Sequence, residues 1–253
     1  LKHVIVLGDD GGTMTYEELL TADPDFDPLP IASQVGLGDP LTLIYTSGTT
    51  GPPKGVTLTH GNLMRAMTSV MDGVMNLPDT DARVISWLPA AHIAERGANY
   101  YSAMIAGFTV HICPDPKRVI EFLPKVRPTW FFAVPRIWEK LKAGLEGMLA
   151  GLPDEQREKA QGGLDAAIQK VRLEQQGKEV PAEIAAAAAA ADEALFSALR
   201  TNLGLDKAVA VSVSAAPIPV EVLEFFHAIG IPVGELWGMS ETCGLITMNP
   251  PSR

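Results

Sequence analysis

Short apolar runs recur along this chain, each separated from the next by a turn cluster or by a stretch with helical spacing. Runs at 4–7, 41–45, 56–58, 84–87, 109–112, 130–132, 209–213 and 232–236 predict strands. Aliphatic, β-branched and aromatic residues fill them, and each is too short to be a buried helix. Stretches 62–75, 93–105, 119–123, 135–149 and 220–229 carry apolar residues at helical intervals and predict helices. Strands alternating with helices predict an α/β layered domain with largely parallel strands and right-handed crossovers. The run from Asp23 to Pro30 is read as a linker, because its prolines oppose regular structure.

Residues 151–202 break the alternation. They are rich in Ala, Glu, Gln and Lys and include an unbroken alanine run from Ala185 to Ala191. Alanine has the highest helix propensity, so two helices separated near 177–181 are expected. A poly-alanine face offers little apolar area, which predicts an outlying, solvated helical hairpin rather than core.

The stretch Tyr45-Thr46-Ser47-Gly48-Thr49-Thr50-Gly51-Pro52-Pro53-Lys54-Gly55 follows a strand and concentrates hydroxyls, glycines and one lysine. Glycines let backbone N–H groups approach an anion, Ser and Thr hydroxyls donate to phosphate oxygens, and a lysine adds a point charge. The order differs from the common nucleotide P-loop, which needs Gly, four residues, then Gly-Lys-Ser/Thr. Its place after the carboxyl end of a strand is where open α/β sheets bind ligands.

Composition narrows the class. The chain has 253 residues, 47% hydrophobic and 20% charged, with a net charge of −10. That suffices for a substantial core and argues against a nucleic-acid surface, which needs a basic patch. The two cysteines, Cys113 and Cys243, have no metal-ligand spacing, as in a reduced cytoplasmic protein. The start at Leu1 and the end at Arg253, just after a segment dense in candidate site residues, read as cuts within a larger protein.

Three further segments join the loop. They are Ser86-Trp87-Leu88-Pro89-Ala90-Ala91-His92-Ile93-Ala94-Glu95-Arg96, the run from Arg127 through Val134-Pro135-Arg136 to Lys140, and Ser214-Ala215-Ala216-Pro217-Ile218 followed by Gly234-Glu235-Leu236-Trp237-Gly238-Met239-Ser240-Glu241-Thr242. In order and spacing the four segments resemble the adenylate-forming, AMP-binding superfamily. Within it they look like long-chain fatty acyl-CoA synthetases, nearest the bubblegum-type branch.

The resemblance implies that residues 1–253 are the central and C-terminal part of the layered α/β large domain, with a helical insertion near 151–202 and without the small C-terminal lid domain. It implies an AMP-forming acid–thiol ligase that uses ATP, Mg²⁺ and CoA, with a fatty acid as the other substrate. Peripheral membrane association of the full-length protein fits the same picture.

Residue by residue, Thr46, Ser47, Gly48, Thr49, Thr50, Gly51 and Lys54 would hold the β- and γ-phosphates and the departing pyrophosphate. Glu241 is the candidate Mg²⁺ ligand, and Thr242 would contact the α-phosphate. Trp237 would stack on adenine in place of the family's usual tyrosine, opposite a wall made by Ala215, Ala216 and Pro217. Glu235, Leu236, Gly238, Met239 and Ser240 complete the nucleotide side. His92 would donate between the approaching carboxylate and the α-phosphate.

Val213 and Ser214 stand where the family commonly has a Ser-Gly pair, which adds a Cβ beside the nucleotide. Glu95 and Arg96 are read as a local ion pair of structural value, and Arg136 as structural. Trp130, Phe131, Phe132 and Val134 are candidate lining for an acyl tunnel. The ribose-binding aspartate, hinge arginine and lid lysine implied by the family find no counterpart in Cys243–Arg253, so residues 1–253 alone are expected to be inactive. Two other readings stay open: a non-catalytic split or degenerate homologue that binds nucleotide or partner chains, and a CoA ligase for a different carboxylic acid.

Overall fold

The computed structural model describes residues 5–6, 14–47, 51–73 and 81–249. It divides into two compact units, Leu1–Asp39 and Pro40–Arg253. In the first, β1 (Ile5–Val6) pairs in parallel with β2 (Met14–Thr15). Helix α1 (Tyr16–Leu20) opens on a capping box: the Glu18 N–H donates to Thr15 Oγ1 at 3.1 Å and the Thr15 N–H to Glu18 Oε2 at 2.7 Å. The segment read as a linker ends in a short helix, α2 (Leu29–Ala32). Pro30 lies in its first turn, where a missing N–H costs nothing.

The second unit holds the α/β layers. Its strands are β3 (Pro40–Thr46), β4 (Lys54–Thr59), β5 (Arg83–Ser86), β6 (Thr109–Ile112), β7 (Trp130–Ala133), β8 (Ala210–Val213), β9 (Val233–Trp237) and β10 (Thr247–Met248). β7, β8 and β9 are parallel neighbours with β10 antiparallel at the edge, and β5 pairs in parallel with β6. Backbone and side-chain bonds tie β5 alongside β7, among them Thr129 N–H to Arg83 O at 2.9 Å and Trp87 Nε1–H to Phe132 O at 3.3 Å. The expectation of largely parallel strands holds there but not for β3 and β4. Those two form an antiparallel hairpin, because only the short loop 47–53 joins them.

The helices are α3 (His60–Gly73), α4 (Ile93–Glu95), α5 (Ser102–Ala106), α6 (Val119–Val126), α7 (Pro135–Ala150), α8 (Asp154–Gln175), α9 (Ala182–Ala191), α10 (Ser197–Leu203) and α11 (Val220–Ala228). Two π segments, Arg96–Tyr101 and Asp192–Phe196, interrupt what sequence periodicity reads as continuous helix. Strand alternation sorts the side chains between two layers. Phe131, Ala133, Val211 and Val213 face the main core with α6, α7, α10 and α11, centred on the fully buried Trp138 and Phe226. Trp130, Phe132 and Ala210 face the other way, toward Val70 of α3 and Ala98 of the first π segment.

The alanine-rich helices are largely solvated, as expected, with only Ala188 of the run 185–191 buried, but one edge of the hairpin joins the core. Leu164, Ala167, Ala188, Phe196 and Leu199 belong to the main core, and Arg172 of α8 grips Glu224 of α11 through two bonds of 2.8 and 2.7 Å. Small side chains let the two helices approach closely: a Cβ on Gly163 would lie 2.5 Å from the Cβ of Ala191. Among the described residues no helix is long and apolar enough to cross a membrane.

Candidate functional site

The carboxyl ends of β5, β8 and β9 each lead into a loop that carries candidate residues. After β5 the chain turns at Pro89–His92, closed by His92 N–H to Pro89 O at 2.9 Å. His92 then caps α4, its Nδ1 accepting the Ala94 N–H at 3.0 Å. That acceptor role puts the proton of the neutral ring on Nε2, leaving one N–H donor on an exposed imidazole.

Glu95 and Arg96 make no ion pair with each other, contrary to the sequence reading. The Glu95 side chain is fully buried and accepts from Ser86 Oγ (2.5 Å), Leu88 N–H (3.0 Å) and Asn99 Nδ2 (2.8 Å). Arg96 turns away, donating to Ala90 O at 2.7 Å and to Thr42 Oγ1 of β3.

The glycine- and threonine-rich stretch is the tip of the β3–β4 hairpin. Thr46 pairs with Lys54 and Ile44 with Val56 across it. With a period of two, Thr46 and Lys54 fall on the strand face that carries Ile44 and Val56. Ile44 and Leu58 pack with Ile93 beside His92 and with Cys243 beside Thr242. The hairpin is thereby held against both the His92 turn and the 240–243 turn. Ser47, Gly51 and Lys54 are exposed, and Gly51 takes φ +83°; Gly48, Thr49 and Thr50 lie outside the described residues.

After β9, Trp237 is 56% exposed and the chain enters a 3₁₀ turn, Ser240–Thr242. Gly238 is required there: a Cβ on it would sit 1.3 Å from the carbonyl oxygen of Gly244. Thr242 Oγ1 accepts from Met239 N–H at 3.1 Å and donates to Met239 O at 3.0 Å. To reach a phosphate oxygen its proton must turn from that carbonyl. After β8, Ala215 adopts φ +74°, a left-handed conformation unusual for a residue with a Cβ. Ser214, at the position of the family's glycine, is not among the residues with positive φ, so its Cβ meets no such backbone strain.

A cavity of about 310 Å³ opens between these loops. His92, Ala215, Leu236, Gly238, Met239 and Ser240 line it, so six of the residues expected to contact nucleotide or carboxylate come together. Sequence reasoning missed Gly97, Ala98 and Ser102 in the lining, together with Met67 and Val70 of α3. Of the four proposed tunnel residues, Trp130 and Phe132 line the cavity. Phe131 and Val134 pack in the main core instead, as strand alternation requires for Phe131. Arg136 is exposed and outside the lining. Ser214 and Cys243 also line the cavity, and burial pushes the Cys243 thiol up, which makes it a poor nucleophile.

Glu235, Trp237, Ala216 and Glu241 are exposed and adjoin lining residues in the chain; Pro217 is exposed two residues beyond Ala215. Among the described residues no three His, Cys, Asp or Glu side chains converge on a metal position. The donor set suits Mg²⁺ bound with ATP: Glu241 can supply one carboxylate, with phosphate oxygens and water as the remaining ligands.

The sequence profile of the AMP-binding enzyme family matches residues 1–253 throughout. The chain belongs to the AMP-binding enzyme family. It is 42% identical over 214 residues to the Mycobacterium tuberculosis protein named "Putative fatty-acid--CoA ligase fadD11", an alignment covering 84% of this chain and 37% of that one. It is 36% identical to the long-chain-fatty-acid–CoA ligase ACSBG2 of Gallus gallus, over 83% of this chain and 28% of that protein. The chain thus spans well under half the length of these curated relatives.

Among solved structures, the N-terminal domain of FACL13 from Mycobacterium tuberculosis aligns with a TM-score of 0.60 at 20% identity. That alignment covers 94% of this chain and 46% of the other. The o-succinylbenzoate CoA synthetase MenE of Bacillus subtilis in complex with AMP aligns with a TM-score of 0.55 at 22% identity, over 86% and 42% of the two chains. These two likenesses establish the fold, that of the large domain of adenylate-forming enzymes.

Proposed function

We propose that the full-length protein is a long-chain fatty acid–CoA ligase of the AMP-forming type, and that residues 1–253 supply its pyrophosphate grip, adenine side and acyl pocket. The observation that carries this reading is the apolar cavity lined together by Trp130, Phe132, Gly97 and Ala98 and by His92, Ala215, Met239 and Ser240. An alkyl chain in that cleft brings its carboxylate toward the loops that would hold a nucleotide. Relatives named as long-chain-fatty-acid–CoA ligases support the same substrate class.

In the first step a carboxylate oxygen forms a bond to the α-phosphorus while the bond from that phosphorus to the bridging β-oxygen breaks, and pyrophosphate leaves. Two anions must approach, so the barrier falls where fixed donors face the developing charge. His92 Nε2–H is such a donor, held by its own Nδ1 contact. Thr46 and Lys54 share one face of the hairpin and would stabilise the leaving pyrophosphate. Mg²⁺ supplies charge neutralisation on the phosphates when bound. In the second step the CoA sulfur attacks the acyl carbon and AMP departs.

The test is pyrophosphate release by the full-length protein with ATP, Mg²⁺ and a panel of acids. Release that rises with alkyl chain length supports the reading. Preference for an aryl or short polar acid over every fatty acid contradicts it.

A further inference from the structure

We infer that Glu95 and Arg96 are positioning residues that hold His92 in register with the β3–β4 hairpin. The inference rests on the adenylate-forming reading above. Adjacent opposite charges would ordinarily be read as a surface pair of little consequence. Here the two side chains part and grip the same turn from two sides. Through Oε2 the Glu95 carboxylate takes the N–H of Leu88 at the start of the turn, and through Oε1 it takes the hydroxyl of Ser86 at the end of β5. Asn99, in the π segment, supplies its third donor. Arg96 takes the carbonyl of Ala90 within the turn and, on the same guanidinium, the hydroxyl of Thr42. Thr42 lies on β3, the strand that ends at Thr46.

One arginine therefore bridges the turn that presents His92 to the strand that presents the phosphate loop. A wholly buried carboxylate met only by neutral donors costs more than a packed apolar residue would, so stability alone does not account for it. Departures from such local rules gather at functional sites. The π segment that follows widens the helix just where Asn99 must turn back to Glu95.

The substitutions Glu95→Gln and Thr42→Val test this in the full-length protein. Glu95→Gln keeps the shape but replaces one acceptor with a donor; Thr42→Val keeps the β-branched strand residue and removes only the arginine's anchor. Pyrophosphate-release kcat should fall by about ten-fold or more for Glu95→Gln, and by about three-fold or more for Thr42→Val. KM for ATP should stay within about two-fold, since neither residue is placed to bind nucleotide. In a His92→Ala background both losses should vanish, because the residues act through His92. Equal fold-losses with and without His92 would overturn the inference.

A second readout needs no turnover. In spectra of ¹⁵N-histidine-labelled protein, with His92 assigned by its disappearance in His92→Gln, the ring should be the Nε2–H tautomer and become mixed in both variants. Unchanged His92 nitrogens in folded variants would overturn the inference even if activity had fallen. Absence of pyrophosphate release by the wild type with every acid would instead refute the reading of function, leaving the tautomer to decide the positioning.

Discussion

Replacing Gly238 by alanine should damage the fold and the proposed nucleotide site together, and the structure sets the scale. The added Cβ would lie 1.3 Å from the Gly244 carbonyl oxygen and 2.4 Å from its carbon. Ordinary carbon–oxygen contact needs about 3.3 Å, so one backbone segment must retreat by about 2 Å. The retreat pulls on Gly244 N–H to Met239 O (2.9 Å) and on Ile246 N–H to Trp237 O (2.9 Å), the bonds that close the loop bearing Glu241 and Thr242. Overpacking costs about 1–3 kcal/mol, and a lost hydrogen bond about 1 kcal/mol more. A total of about 2–4 kcal/mol corresponds to a Tm lower by roughly 4–16 °C. Thermal melts of the full-length protein, with ATP affinity measured calorimetrically on the same samples, check both effects. A variant that melts within about 1 °C of wild type and binds ATP as well would show that the backbone at Gly238 and Gly244, between β9 and β10, does not approach this closely.

Ala215→Gly should have the opposite sign: relief of the left-handed φ of +74° outweighs the entropy of glycine, raising stability by up to about 1 kcal/mol in the same melts. Lys54→Ala should raise KM for ATP about ten-fold with kcat less affected, and Glu241→Gln should raise the Mg²⁺ needed for half-maximal rate about ten-fold. Acid should destabilise the fold in a defined window. Hydrogen bonds from Arg127, Arg200 and Arg172 hold Asp206, Asp192 and Glu224 below their ordinary values of 3.8 and 4.5. Their contribution is complete above those values and is lost as pH falls through the lowered ones. The urea midpoint should therefore stay level down to about pH 5 and drop below pH 4, with a shallower drop in Arg127→Gln. Cys113 and Cys243 are buried and their thiols are pushed up by burial, so both should react slowly with a thiol reagent at neutral pH; a rapid reaction of either would contradict its burial.

Much of this was legible from residue order because local signals agreed with the fold. β5, β6, β7, β8 and β9 overlap the apolar runs at 84–87, 109–112, 130–132, 209–213 and 232–236, where β-branched and aromatic residues meet turn signals on both sides. The readings that failed needed distances. Alanines 185–191 announce a helix, but whether its face is buried depends on Gly163 lying opposite Ala191, which no one-dimensional pattern reveals. Glu95 and Arg96 look like a pair because they are neighbours; their partners Ser86, Asn99 and Thr42 come from three other places in the chain. The one signal available for the cavity lining was the period of two in β7, which separates Trp130 and Phe132 from Phe131. The small lining residues Gly97 and Ala98 carry no sequence signal for a cavity.

The central claim is that an acyl chain and a nucleotide meet beside His92. A crystal structure of the full-length protein with a non-hydrolysable long-chain acyl-sulfamoyl adenosine tests it most directly. The account predicts the alkyl chain between Phe132 and Ala98, the sulfamoyl group within hydrogen-bond reach of His92 Nε2, and adenine beside Ala215 and Trp237. An alkyl chain lodged elsewhere, with this cavity left to solvent, would contradict it.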